Sequence, residues 1–267
     1  YKIMNQDFTF KSEYNIDDLL QIMALLRSEN GCPWDKQQTH ASIRNNFIEE
    51  VYEVADAIDR EDNAALREEL GDVLLQVVFH AQIEKEKQSF DFNSVADGIC
   101  KKLILRHPHI FGDTVAKTTE KVLDNWDKIK MQEKGQETYT DTLKSVPKAF
   151  PGLLRAAKVQ KRAAKANFDW EDVYEPLLKV GEELSELEDA MENGCPCQVY
   201  EEFGDLLFAA VNVSRFLKID AEQALQSATD KFIRRFEKVE SLVKDRGIDM
   251  KEASLEELDA LWDEVKQ

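Results

Sequence analysis

Apolar residues recur at three- and four-residue intervals along most of the chain, the period of a helix that buries one face. Prolines at 33, 108, 147, 151, 176 and 196 leave the stretches 34–107 and 197–267 free of the residue that most readily breaks a helix. This pattern predicts helices over 16–29, 41–60, 63–87, 93–105, 118–133, 148–166, 173–192, 198–217, 221–246 and 255–266. No segment reads as a strand, so the expected fold class is all-α. Ser254 with Glu257, and Asp220 with Gln223, have the spacing of side chains that satisfy the open amides of a helix's first turn. The polar stretch from Gln132 to Asp141, with Gly135 and two threonines, reads as a joint. The expected division is an N-terminal domain over 1–131, a linker over 132–145 and a C-terminal domain over 146–267, each large enough to bury its own core.

The two parts repeat one another. Glu49, Glu50, Glu53, Glu68, Glu69, Gly71 and Asp72 recur as Glu182, Glu183, Glu186, Glu201, Glu202, Gly204 and Asp205, each displaced by 133 residues. A K-x-x-x-R pair follows in each half, Lys102 with Arg106 and Lys231 with Arg235. A W-D-x-[I/V]-K segment comes last, from Trp126 to Lys130 and from Trp262 to Lys266.

Residues three apart share a helix face, so Glu50 points with Glu53 and Glu69 with Asp72. Two such helices packed antiparallel converge four carboxylates, which repel unless protons or a divalent cation intervene. All-oxygen ligands suit Mg2+, with Mn2+ as a substitute. In so acidic a chain a single E-x-x-E is an ordinary solvated face; the exact recurrence, with a glycine where close helix approach would need one, favours ligation.

Composition narrows the possibilities. With 35 Lys and Arg against 53 Asp and Glu, the formal net charge is -18, which disfavours a nucleic-acid backbone as partner. No apolar run approaches the roughly 20 residues of a membrane span. Cys32, Cys100, Cys195 and Cys197 have neither zinc spacing nor a disulfide-rich count, which suggests reduced thiols and a cytoplasmic setting. Cys195-Pro196-Cys197 reads as a turn between helices rather than a redox centre. His107-Pro108-His109 lacks a third spaced metal ligand and reads as packing. A di-iron oxidase would need Glu-x-x-His, which is absent, and a His-Asp phosphohydrolase would need a dipeptide the chain does not contain. An acidic helical dimerisation scaffold is the non-enzymatic alternative.

E-E-x-x-E followed by E-E-x-G-D, flanked by N-G-C-P-W-D from Asn30 to Asp35 and N-F-D-W from Asn167 to Trp170, resembles the MazG family of all-α nucleoside triphosphate pyrophosphohydrolases in its tandem, two-domain form. The resemblance runs from about Asp17 to the C-terminus. It implies Mg2+-dependent hydrolysis of nucleoside triphosphates to monophosphate and pyrophosphate, broad base tolerance, a role in clearing the nucleotide pool, and homodimers that pair helices into bundles. By the same resemblance Glu183, Glu186, Glu202 and Asp205 would hold the metal and carry catalysis, and Trp262 and Lys266 would contact nucleotide. Lys231, Arg235 and Lys179 are candidate phosphate contacts. The position matching Lys179 is Asn46, so the second half is expected to be the principal site, although Glu50, Glu53, Glu69 and Asp72 remain candidate ligands in the first. Some relatives carry this unit behind a methyltransferase-like domain, and the start at Tyr1 with the lead to Asn15 is compatible with such a fusion.

Overall fold

The computed structural model describes residues 8–113, 118–133 and 135–266. It contains helices and, among the described residues, no strand. The chain divides into two compact units, Tyr1–Lys130 and Met131–Gln267. No helix is long and apolar enough to cross a membrane.

The first unit contains α1 (Ile16–Leu26), α2 (Pro33–Gln37), α3 (Arg44–Asp59), α4 (Asn63–Glu86), α5 (Phe92–Arg106) and α6 (Pro108–Phe111), and α7 (Thr119–Glu133) runs on from it. Asn15 starts α1 with a reciprocal cap, accepting from the amides of Asp17 and Asp18 while Asp18 accepts from its own. The helix stops at Leu26, three residues short of expectation, because the chain doubles back. The Cys32 amide donates to the Leu26 carbonyl at 2.7 Å, and a Cβ on Gly31 would lie 2.2 Å from that same oxygen, so only glycine fits the turn. Before α3, Thr39 and Ser42 bond each other's amides at 2.9 and 3.2 Å, delaying the helix to Arg44. Asp62 caps α4 through the amides of Ala64 and Ala65. α3 and α4 form an antiparallel hairpin, and α1 lies against α4, where Met23, Ile43, Val78, Phe79 and Ile83 make the core.

The second unit repeats the plan with α8 (Tyr139–Lys144), α9 (Gly152–Lys165), α10 (Tyr174–Asn193), α11 (Pro196–Phe216), α12 (Ala221–Asp245) and α13 (Leu255–Lys266). The segment expected to be a linker holds α8, capped by Thr138 and Asp141 and packed on α9. Arg162 of α9 donates to the Thr142 carbonyl and to Ser145 Oγ, so residues 138–145 belong to the second unit's packing. Pro151 holds the start of α9 back to Gly152. Gln160 ties α9 to α11 by donating to the Phe208 carbonyl at 2.7 Å. Both expected caps form: Asp220 accepts from the amides of Glu222 and Gln223, and Ser254 and Glu257 cap reciprocally. Gly247, at φ +66°, ends α12 and returns the chain so that Val239, Val243 and Leu261 form a core between α12 and α13.

Candidate functional site

In each unit the helix hairpin carries the repeated acids, and the spacing of three brings them onto facing sides. Carboxylate oxygens of Glu50, Glu69 and Asp72 lie within 4.8 Å of one another on α3 and α4, and those of Glu183, Glu186 and Glu202 do the same on α10 and α11. The other two candidates border these triples. Glu53 is a close charge neighbour of Glu50, and Asp205 of Glu202. The same frame is therefore completed by Asp72 in one unit and by Glu186 in the other.

The acids are under-neutralised. Removal from water pushes the carboxyls of Glu50, Glu69 and Glu202 above their usual range, and neighbouring carboxylates push the same way: Asp72, Glu53 and Glu69 on Glu50, chiefly Glu53 on Glu69, and chiefly Glu186 on Glu202. A donor set of carboxylate oxygens alone, drawn together against its own repulsion, suits a hard divalent cation.

The candidate cations lie in two places. Lys179, one turn before Glu183, turns onto the acids: its Nζ lies 2.7 Å from Glu183 Oε1 and 2.9 Å from Glu182 Oε1. Lys231 and Arg235 are on α12, Trp262 and Lys266 on α13, and the two helices pack together with the Trp262 ring 5.0 Å from that of Phe232. Lys266 pairs with Asp263 at 2.8 Å. Among the described residues no hydrogen bond or ion pair joins Lys231, Arg235, Trp262 or Lys266 to the four acids of this unit. The first unit has a counterpart, with the Arg106 guanidinium 5.3 Å above the Trp126 ring and His107 edge-on to it at 5.0 Å. His107 also bonds the Leu103 carbonyl and contacts His109, as packing residues do.

Two expectations are corrected. A Cβ on Gly71 or Gly204 would meet nothing within 4 Å, so close approach of helices within one chain does not demand either glycine. Cys195 and Cys197 are joined as a disulfide rather than standing as thiols, and instead of a free turn they begin α11, with Cys195 at the cap and Pro196 in the first position. Cys32 and Cys100 are free.

One cluster escaped the sequence reading. His40 and His80 share a 2.6 Å hydrogen bond between their Nδ1 atoms, the other nitrogen of His40 lies 2.6 Å from Glu84, and Lys87 reaches the same carboxylate at 2.7 Å. The only sequence signal was His80 and Glu84 four apart on α4; the third member lies 40 residues from His80. Hydrogen bonds from Lys87 and His40 pull the Glu84 carboxyl down to about 2. Burial, reinforced by His40, pulls His80 below its ordinary 6.5. The unfolded chain therefore takes up a proton at this histidine before the folded one does, and stability falls as pH drops through 6.5. A His80→Phe variant is expected to show a flatter dependence of Tm on pH between 5 and 7.5 than the parent; an unchanged slope would place the acid sensitivity elsewhere.

A family profile described as the MazG nucleotide pyrophosphohydrolase domain matches residues 38–111 and 175–240, the two segments that contain the acid-bearing hairpins. A nucleoside triphosphate pyrophosphohydrolase of Escherichia coli is 47% identical over 255 residues, covering 94% of this chain and 97% of that one. The nucleoside triphosphate pyrophosphohydrolase/pyrophosphatase MazG of Thermotoga maritima is 44% identical over 250 residues, covering 94% and 95%. The uncharacterised protein YabN of Bacillus subtilis is 48% identical over 247 residues, which are 92% of this chain and 50% of that longer one. With matches of this extent falling in both units, the chain belongs to the MazG nucleotide pyrophosphohydrolase family.

Proposed function

We propose that the chain hydrolyses nucleoside triphosphates to nucleoside monophosphate and pyrophosphate in its second unit, with Mg2+ as cofactor, Mn2+ as substitute and broad tolerance of the base. The observation that carries this reading is the convergence of Glu183, Glu186 and Glu202 within 4.8 Å on a hairpin that the family profile covers. Mg2+ bound there supplies neutralisation of the triphosphate and an activated water. Glu183, Glu186, Glu202 and Asp205 are its ligands, and a carboxylate oxygen not engaged by the metal orients the attacking water and accepts its proton. Lys179, Lys231, Arg235 and Lys266 balance the phosphates, Arg235 as a planar fork and the lysines as point charges. Trp262 offers a ring face on which any base can stack, which accounts for broad tolerance. Such an activity clears unwanted nucleotides from the cytoplasmic pool.

The working form is a homodimer. α10 exposes Leu177, Leu184 and Met191, seven apart and so on one face, and α11 exposes Tyr200, Phe203 and Leu207, three and four apart, an apolar surface that a lone subunit would leave in water. Beside it a groove of about 580 Å³ runs past Gly204, Leu207, Phe208 and Leu225. A second copy laid along this face closes the hairpins into a four-helix bundle, and its approach gives Gly204 a purpose that the single chain does not.

Chromatography of products from a panel of ribo- and deoxynucleoside triphosphates tests the reaction. Monophosphate with pyrophosphate is expected from several bases, lost in chelator and restored by Mg2+ or Mn2+, from a species of twice the chain mass by light scattering. Diphosphate with phosphate would mean hydrolysis at the other phosphoanhydride bond and overturn the reading, and no turnover at all would leave the family frame as an acidic dimerisation scaffold.

A further inference from the structure

The two acid clusters share one carboxylate frame but differ in one residue that matters for charge. In the second unit Lys179 is built into the frame, its ammonium bridging Glu183 and Glu182 at 2.7 and 2.9 Å, and the Glu183 side chain is only 8% exposed. In the first unit the matching residue is Asn46, exposed and neutral, and Glu50 and Glu69 are left with their mutual repulsion. One cluster carries its own counter-cation in an ion pair, whereas among the described residues no lysine or arginine pairs directly with the acids of the other; the cation nearest in effect, Arg60, is paired with Asp56 and reaches Glu69 only through its charge.

Resting on the reading that the second cluster takes Mg2+, and extending it to the matching carboxylate frame of the first, we propose that Lys179 is a resident counter-cation which the metal must displace, so that the second unit takes up metal together with a triphosphate whereas the first takes it up alone. A divalent ion entering the second cluster draws on the carboxylate of Glu183, whose Oε1 Lys179 already engages at 2.7 Å, and it sets a second positive charge beside the ammonium or expels it unpaired. An incoming triphosphate removes that penalty by giving the released ammonium an anion to pair with. Metal and nucleotide therefore favour each other's binding at this site, and the coupling is reciprocal. In the first unit a metal only relieves repulsion, and nothing competes with it. The emptied second site closes on itself after product leaves, with Lys179 back on Glu183, while the first unit keeps its ion through the cycle.

Binding of Mn2+ to the full chain, followed by loss of the free-ion electron paramagnetic resonance signal, reads this without turnover. The wild type is expected to show one tight class of site without nucleotide, lost in Glu69→Gln, and a second class that appears only with an α,β-imido nucleoside triphosphate, counted after subtracting the Mn2+ that the analogue chelates in protein-free solution. Lys179→Asn, which copies the first unit, should strengthen the second class by about tenfold without nucleotide and abolish its dependence on the analogue. The reciprocal Asn46→Lys variant should weaken the first class by a similar factor, and it tests the idea even if Lys179→Asn destabilises the fold. Two classes of equal affinity that ignore both substitutions would overturn the proposal while leaving the metal reading intact. Absence of Mn2+ binding in every variant, with and without analogue, would overturn both.

Discussion

Glu186→Gln is expected to lower the turnover of nucleoside triphosphates by more than about a hundredfold, since replacing even groups that only support a metal ligand costs 10–100-fold. Glutamine keeps the length of the side chain but withdraws the charge and the hard anionic oxygen that a divalent ion needs. Glu186 is exposed on α10, and its contact is with other acids rather than with a core, so its replacement removes repulsion without opening a cavity. An unchanged far-ultraviolet circular dichroism spectrum with an equal or higher Tm in chelator should accompany the lost activity, which separates chemistry from folding. Glu53→Gln, the matching change in the first unit, should leave turnover within about twofold, because that unit has the neutral Asn46 where the second has Lys179. Pyrophosphate release measured on both variants decides the matter. Activity that survives in Glu186→Gln and disappears in Glu53→Gln would move the active centre to the first unit, and loss in both would make the two units one catalytic system.

The long helices were legible because each repeats its apolar period several times, and because side chains such as Asp220 and Ser254 mark where they begin. α2, α6 and α8 were not, for Pro33–Gln37, Pro108–Phe111 and Tyr139–Lys144 are too short to show a period. The acid frame was legible down to its residues, since Glu50 with Glu53 and Glu69 with Asp72 are fixed on helix faces by spacing alone. Which three come closest was not, because Asp72 completes one triple and Glu186 the other through rotamers and the packing between helices. The contact of Lys179 with Glu183 follows from a spacing of four, yet spacing could not say that the ammonium faces the acids rather than a phosphate. Gly204 shows the converse error: close helix approach is one use of a glycine, yet within this chain nothing comes within 4 Å of the place its Cβ would take. The His40–His80–Glu84 cluster depends on the turn ahead of α3 folding back onto α4, a tertiary fact with no local signature.

Arg27→Ala is expected to destabilise the first unit by about 3 kcal/mol, lowering the Tm of its transition by roughly 10 °C. Arg27 ends α1 with a side chain only 6% exposed, and its guanidinium gathers three parts of the unit. It bonds both oxygens of Glu86 at 2.8 Å at the end of α4, donates to the Asp35 and Gln38 carbonyls at 2.5 and 3.2 Å, and lies 5.3 Å above the Phe79 ring in the core. These contacts hold α2 and the doubled-back turn against α4. Truncation strips Arg27's bonds from three acceptors at once, leaving the Asp35 carbonyl with only the Gln38 amide and Glu86 with only Gln82, and that loss outweighs the modest net value of each bond when made. Glu86 retains access to water, which keeps the cost below that of a fully buried broken pair. Lysine cannot replace the fork, since one ammonium reaches either the carboxylate or the carbonyls, so Arg27→Lys should recover less than half of the loss. Thermal and urea unfolding of both variants measures this directly, and an alanine variant within 0.5 kcal/mol of the parent would show that α1 and α4 stay together through the apolar contacts of Met23, Val78 and Ile83 alone.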